Sequence, residues 1–219
     1  MKIGAKITAS FAIALVLMAT FGIASSLNLK NLANDNTEFY SEILLPIEHI
    51  SSASTCFQRM RGNLRDIILD NKMSDMLNHQ ERIKYFQDNL KKDLAEFEKT
   101  ISNPELSAEY KDLTSKLAMF ENDNNKIQML ALSRKKNEAL QLMRGEAFQL
   151  SQDIDASLKK LTDKSSALAK EKSDGNMKAA NFAINLTLVL LLLAALIAAF
   201  LIAFFKKNIS GIIEGILGE

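Results

Sequence analysis

Ala179–Phe205 reads AANFAINLTLVLLLLAALIAAFLIAFF, 27 residues without a single charge. A helix that crosses a bilayer needs about 20 predominantly apolar residues. At about 1.5 Å per residue this segment reaches roughly 40 Å, enough to span with some tilt. From Leu186 to Phe205 its only polar residue is Thr187, which disfavours a core helix of a soluble protein. Ile7–Leu27, ITASFAIALVLMATFGIASSL, is a second uncharged run. Lys2 and Lys6 before it and Gly22-Ile23-Ala24 within it also fit a secretory signal. Its length and the helical pattern that continues past it favour a retained span.

These two segments explain why the averages mislead. The 219 residues carry 27 Lys+Arg and 26 Asp+Glu, a net charge of +1, and the mean hydropathy is −0.01, values typical of a soluble protein. Yet every charge lies outside 7–27 and 179–205. The balance excludes the basic footprint of a nucleic-acid binder. Eight Gly, two Pro and no Trp argue against a turn-rich all-β fold. A single Cys excludes an internal disulfide and multi-cysteine metal sites, and there are only two His. The sequence holds no nucleophile–base constellation, P-loop, Glu-x-x-His pair or haem attachment motif, so neither enzyme nor cofactor is expected.

Lys2 and Lys6 flank the first span; Lys206 and Lys207 follow the second. By the positive-inside rule residues 1–6 and 206–219 are cytoplasmic and 28–178 lie outside, in a bacterial periplasm, as part of a two-span inner-membrane protein in contact with lipid. Ala5, Ala12, Ala19 and Ser26 recur every seventh residue, a stripe that allows close helix approach in lipid, such as a homodimer face.

Residues 28–178 repeat apolar side chains at helical spacing. Leu106, Tyr110, Leu113, Leu117, Phe120, Asn124, Ile127 and Ala131 form the clearest series; Asn124 at a seam position reads as a register-setting residue. Asn103-Pro104-Glu105 combines an N-cap, Pro at the first helical position and an acid in the first turn. Polar interruptions around Asp70–Asp75 and Ser133–Glu138, with cap candidates Ser74 and Asn137, add two further turns. The expectation is all-α: an antiparallel up-down-up-down four-helix bundle (about 28–70, 74–101, 105–132 and 137–178) flanked by two transmembrane helices (7–27 and 179–205). Pro46 should kink the first helix. Asp174-Gly175-Asn176 either breaks or only softens the fourth.

Several motifs carry a family likeness: the flanking spans, Tyr40-x5-Pro46-Ile47-x2-Ile50, Arg61-Gly-Asn-Leu-Arg65-Asp-Ile-Ile-Leu69, and Lys136-Asn-Glu-Ala-Leu140. On these the chain resembles the four-helix-bundle sensor region of bacterial methyl-accepting chemotaxis receptors. Lys206-Lys-Asn-Ile-Ser-Gly-Ile-Ile-Glu-Gly-Ile-Leu217 resembles the start of a HAMP linker, with Ile212 where the family usually has Pro, and Phe204 and Phe205 at the aromatic anchor. The resemblance implies a homodimeric chemoreceptor that binds a small molecule outside and signals through the second span to cytoplasmic signalling proteins. These 219 residues do not include the methylation helices or the kinase-contacting hairpin of such receptors, which fits either a fragment of a longer receptor or a short protein with only the sensor half. The sensor half of a histidine kinase or diguanylate cyclase, and an adaptor whose bundle binds a protein partner, are the alternatives.

Arg59, Arg61 and Arg65 cluster on the first helix, and antiparallel counting places Phe148, Gln149 and Gln152 of the fourth beside them. Arginine forks bind carboxylates bidentately, so these six residues are the candidate site for an organic anion. A solvated basic face paired with Asp66, Asp70 and Glu146 is the plainer reading. Cys56 beside Phe57 reads as a buried thiol, not a redox sensor.

Overall fold

The computed structural model describes the backbone of residues 3–101 and 103–217, and the side chains of residues 8, 11–16, 18–101, 103–204 and 206. The side chain of Ala5 and those of residues 207–219, with Ile212 of the HAMP-like stretch, lie outside the described residues. In order the elements are α1 (Ile3–Phe39), a π-helical turn (Tyr40–Leu44), α2 (Leu45–Leu69), α3 (Met73–Glu98), α4 (Pro104–Leu132), α5 (Lys136–Arg144) and α6 (Glu146–Leu217). The described residues contain no strand.

The chain divides into two compact units, Glu38–Lys172 and the two arms outside it. The first unit is an antiparallel four-helix bundle of α2, α3, α4 and the α5–α6 arm. Its core follows the 3–4 periodicity read from the sequence. Ile50, Phe57, Met60, Leu64 and Ile67 from α2 are buried with Ile83, Leu90, Leu94 and Phe97 from α3. Leu113, Phe120, Ile127 and Ala131 from α4 and Ile154, Leu158 and Leu161 from α6 complete it. Phe57 and Phe120 meet edge-to-face at 5.2 Å between centroids. Tyr110 is buried beside Phe97 and donates its hydroxyl to the Leu94 carbonyl at 3.1 Å and to Glu98 at 3.2 Å. Burial, reinforced by the negative charge of Glu98 and its hydrogen bond, pushes the phenol up to about 12.

The turns have identifiable chemistry. Asn103 Oδ1 accepts from the Glu105 N–H at 2.8 Å, capping α4 with Pro104 in its first turn. At the opposite end Lys136 donates to the Leu69 and Asp70 carbonyls and to Asn71 Oδ1 at 2.6–3.1 Å. Arg134, with φ 65°, donates to the Asn71 carbonyl at 2.6 Å. Lys136 thus satisfies carbonyls that the end of α2 leaves free, and Arg134 one in the turn beyond it.

Four expectations need correction. The first helix is not a uniform α-helix from 28 to 70: it continues from α1, which begins at Ile3, and passes through a π-helical turn just before Pro46. Pro46 lacks an N–H and its ring would crowd the carbonyl four residues back, and the chain widens just before it, with the Leu45 N–H reaching the Tyr40 carbonyl. Ser74 is not a cap: α3 begins at Met73, and the Ser74 hydroxyl is taken by the Asp75 carboxylate at 3.2 Å. Asn137 is not a cap either, because α5 already begins at Lys136. The fourth helix does not run unbroken from 137: it is interrupted at Gly145, whereas at Gly175, where the sequence leaves a break open, it continues. One glycine in a long helix costs about 1 kcal/mol, a cost α6 absorbs at Gly175 without breaking.

Ion pairs line the α6 flank: Lys164 with Glu105 at 2.6 Å, Lys160 with Glu109, and Lys172 with Glu38. Hydrogen bonding and the positive charge of Lys164 hold the Glu105 carboxyl below its ordinary value. In the second unit, α1 and α6 are each long and apolar enough to cross a membrane. Their large apolar side chains, such as Phe11, Leu15, Phe182 and Leu192, are exposed, as lipid-facing residues are. Ala12, Ala19 and Ser26 are exposed along α1.

Candidate ligand-binding site

Arg61 and Arg65 stand four residues apart on α2, so one helical turn puts them on the same face. Opposite them the chain leaves α5 at Gly145, whose N–H donates to the Gln141 and Leu142 carbonyls. A Cβ at Gly145 would meet the Gln141 carbonyl oxygen at 3.1 Å, tighter than ordinary contact. This interruption ends α5 with Arg144 and restarts the helix at Glu146, so Arg144 and Phe148 border one space.

That space is a slot of about 380 Å³ lined by Arg61, Arg65, Arg144, Phe148 and Ser151, with Leu64 and Phe120 behind them. Three guanidinium groups and no carboxylate line it. Arg61 is the most constrained. It pairs with Asp155 of α6, and its guanidinium stands 5.6 Å from the Phe57 ring centroid. Arg65 is exposed and meets Asp66 at 3.3 Å, a pair of the kind that contributes little in water. Arg144 has no carboxylate within pairing distance among the described residues. Phe148 is 51% exposed and supplies an apolar wall. Such a slot can hold a carboxylate against a guanidinium fork with an apolar body on the ring.

Of the six residues singled out from the sequence, Arg61, Arg65 and Phe148 come together here. Arg59 does not: two residues from Arg61 it is about 200° away around the helix, and its guanidinium lies over Phe86 of α3 at 5.6 Å. Gln149 and Gln152 do not line the slot. Gln149 donates to Asp153 at 3.2 Å and Gln152 faces solvent. Arg144 is the residue that sequence reasoning missed, because a continuous helix leaves it on no particular face. Of the plainer pairings, Arg65 takes Asp66, while Asp70 is held by His79 at 3.2 Å.

Cys56 is buried in the core, and burial, with the nearby Asp93 charge adding to it, raises its thiol above the ordinary value. Among the described residues no group of three or more His, Cys, Asp and Glu gathers as a metal site. No curated protein and no solved structure matches the chain. Residues 1–180 match the family described as the four-helix-bundle sensory module for signal transduction. With that match over most of its length, an all-helical bundle and two membrane-length apolar helices, the chain belongs to this family of sensory modules.

Proposed function

We propose that the chain is the sensor module of a two-span chemoreceptor that binds a small organic anion, most simply a carboxylate, in the slot of Arg61, Arg65 and Arg144. The observation that carries this reading is the slot's lining: three guanidinium groups, an exposed aromatic ring and no carboxylate. Lysines beyond each apolar run support an arrangement with residues 28–178 periplasmic, both ends cytoplasmic and the protein in a bacterial inner membrane. The module acts as a homodimer, and the exposed stripe of Ala12, Ala19 and Ser26 on α1 is a face on which two copies could pack. A ligand signals only if it binds one of two bundle arrangements better than the other. Slot residues Phe148 and Ser151 belong to α6, the helix that also contains the second apolar run, so occupancy biases that helix. The HAMP-like residues 206–219 then pass the bias to a cytoplasmic chemotaxis output.

Isothermal titration of the full chain in lipid nanodiscs against acetate, succinate and L-aspartate tests the reading. A charge-assisted hydrogen bond contributes about 1.5–3 kcal/mol, so Arg61→Ala or Arg144→Ala should weaken a binding carboxylate by roughly 10- to 150-fold. Binding that Arg61→Ala and Arg65→Ala both leave unchanged would sink the assignment, and no binding across such acids would favour a bundle that docks a protein partner.

A further inference from the structure

At the end of the bundle that holds the α3–α4 turn, a cavity of about 390 Å³ opens between the start of α2, the end of α3 and α6. All of its lining lies within Glu38–Lys172. Pro46, Phe97, Ile101, Leu106 and Leu168 make most of its wall apolar. Pro46, Phe97 and Leu106 are buried, so the core holds its shape. One polar group is out of keeping with that wall. Ser165 of α6 is 7% exposed and makes no hydrogen bond among the described residues. Its oxygen is not sealed inside the core and borders the cavity. A hydroxyl inside a helix commonly returns to a carbonyl one turn back, as Thr162 does to Leu158 at 2.9 Å. Ser165 does not, so its hydroxyl is available to an occupant.

The remaining polar side chains of the lining set the chemistry. The Thr100 hydroxyl donates to the Phe97 carbonyl at 2.6 Å and the Ser41 hydroxyl to the Glu38 carbonyl at 3.4 Å, so neither has a proton left for a ligand. Lys99, the one basic residue of the lining, gives its ammonium to both oxygens of Glu96, at 2.7 and 2.8 Å. Glu42 is the one acid of the lining. Glu38, one helical turn before it, is taken by Lys172, but Glu42 itself pairs with no basic side chain among the described residues. The cavity therefore offers mainly acceptors and one unmatched negative charge.

We propose that this cavity is a second ligand site, for a small organic ammonium ion on an aromatic or branched apolar body. A primary ammonium carries three N–H donors and a positive charge. Glu42 meets the charge, the Ser165 and Thr100 oxygens accept protons, and Phe97, Ile101 and Leu168 take the apolar body. A carboxylate would meet Glu42 as a like charge, and an alcohol brings one donor and no charge. The volume is in the range of pockets that hold small molecules. The site has the opposite charge preference to the arginine slot and stands without it. Ser165 and Leu168 belong to α6, which also supplies Phe148 and Ser151 to the slot, so occupants of either site bear on the same helix.

The test is isothermal titration of the full chain in zwitterionic lipid nanodiscs with 2-phenylethylammonium, 2-phenylethanol as the uncharged comparison and empty nanodiscs as the blank. The ammonium should bind at least about 10-fold more tightly than the alcohol. Glu42→Gln, at an exposed position, should weaken the ammonium by about 5-fold or more and leave the alcohol unchanged. Ser165→Ala should weaken the ammonium by about 2- to 10-fold, the equivalent of one hydrogen bond. Glu48→Gln, at an exposed acid of α2 outside the lining, and Arg61→Ala should leave it unchanged. Absence of ammonium binding above the blank, alcohol binding as tight as that of the ammonium, ammonium binding insensitive to Glu42→Gln or to Ser165→Ala, or an equal loss on Glu48→Gln or Arg61→Ala would each overturn the proposal.

Discussion

Removing either partner of the Arg61–Asp155 pair should reveal how firmly the arginine slot is held. The two side chains are 27% and 29% exposed, between the surface and the interior. Exposed pairs contribute about 0.2–1 kcal/mol, whereas breaking a fully buried pair costs about 3–5. At this exposure a value of about 1–2 kcal/mol is expected for Arg61→Ala. One Asp155 oxygen is already buried without a partner, so the lost pairing leaves that carboxylate without its charge partner. Asp155→Ala should cost less, because Arg61 retains solvent and the Phe57 ring 5.6 Å away. The double variant should lie close to Arg61→Ala alone, which gives a coupling of about 1 kcal/mol. Thermal melts of the four proteins, followed by circular dichroism, would register about 2–4 °C per kcal/mol for a chain of this size. Asp155→Asn carries a further expectation: with its internal anion neutralised, Arg61 should bind an external carboxylate more tightly. A coupling below about 0.3 kcal/mol would make this an ordinary surface pair and refute the reasoning.

Three other outcomes follow from the same geometry. Asn103→Ala should lower stability by about 1 kcal/mol through loss of the α4 cap, with Asn103→Asp nearly neutral; equal losses in thermal melts would exclude capping. Tyr110 releases its proton near 10 in the unfolded chain and only at about 12 when folded. Its contribution is therefore complete below pH 10 and lost between about pH 10 and 12, by up to roughly 2 kcal/mol, and Tyr110→Phe should flatten that part of the alkaline stability curve. Cys56 should react with maleimide far more slowly in the native chain than in denaturant, and matching rates would contradict its burial.

Helical periodicity made the bundle legible. Leu106, Tyr110, Leu113, Phe120, Ile127 and Ala131 are all buried, and the Asn103 cap sits where its chemistry requires. Breaks inside helices were harder to read, because local propensity and packing disagree there. Asp174-Gly175-Asn176 resembles a turn yet stays helical, whereas Gly145 lies among strong helix formers and still interrupts the arm. That interruption decides the site, since it gives Arg144 its place in the slot. Arg59 was misplaced for a different reason: closeness in sequence is not closeness on a helix, and two residues turn about 200°. Asn124, read as register-setting, is buried without a partner at either amide atom, a state that depends on a light α3–α4 contact no pattern in one chain encodes.

The uninterrupted course of α6 through Gly175 gives the chain a strict angular register. Each residue inserted between Ser173 and Ala179 turns every later side chain by about 100° around the helix axis and advances it about 1.5 Å. Insertions of seven residues come within about 20° of the starting phase, and those of two rotate the sequence to the far side. Output from a series of such insertions should therefore rise and fall with helical period and not decline steadily with length. A sensory module built this way can be joined to a different downstream segment only at certain residue counts, so the length of this stretch is as much a specificity determinant as any side chain in it.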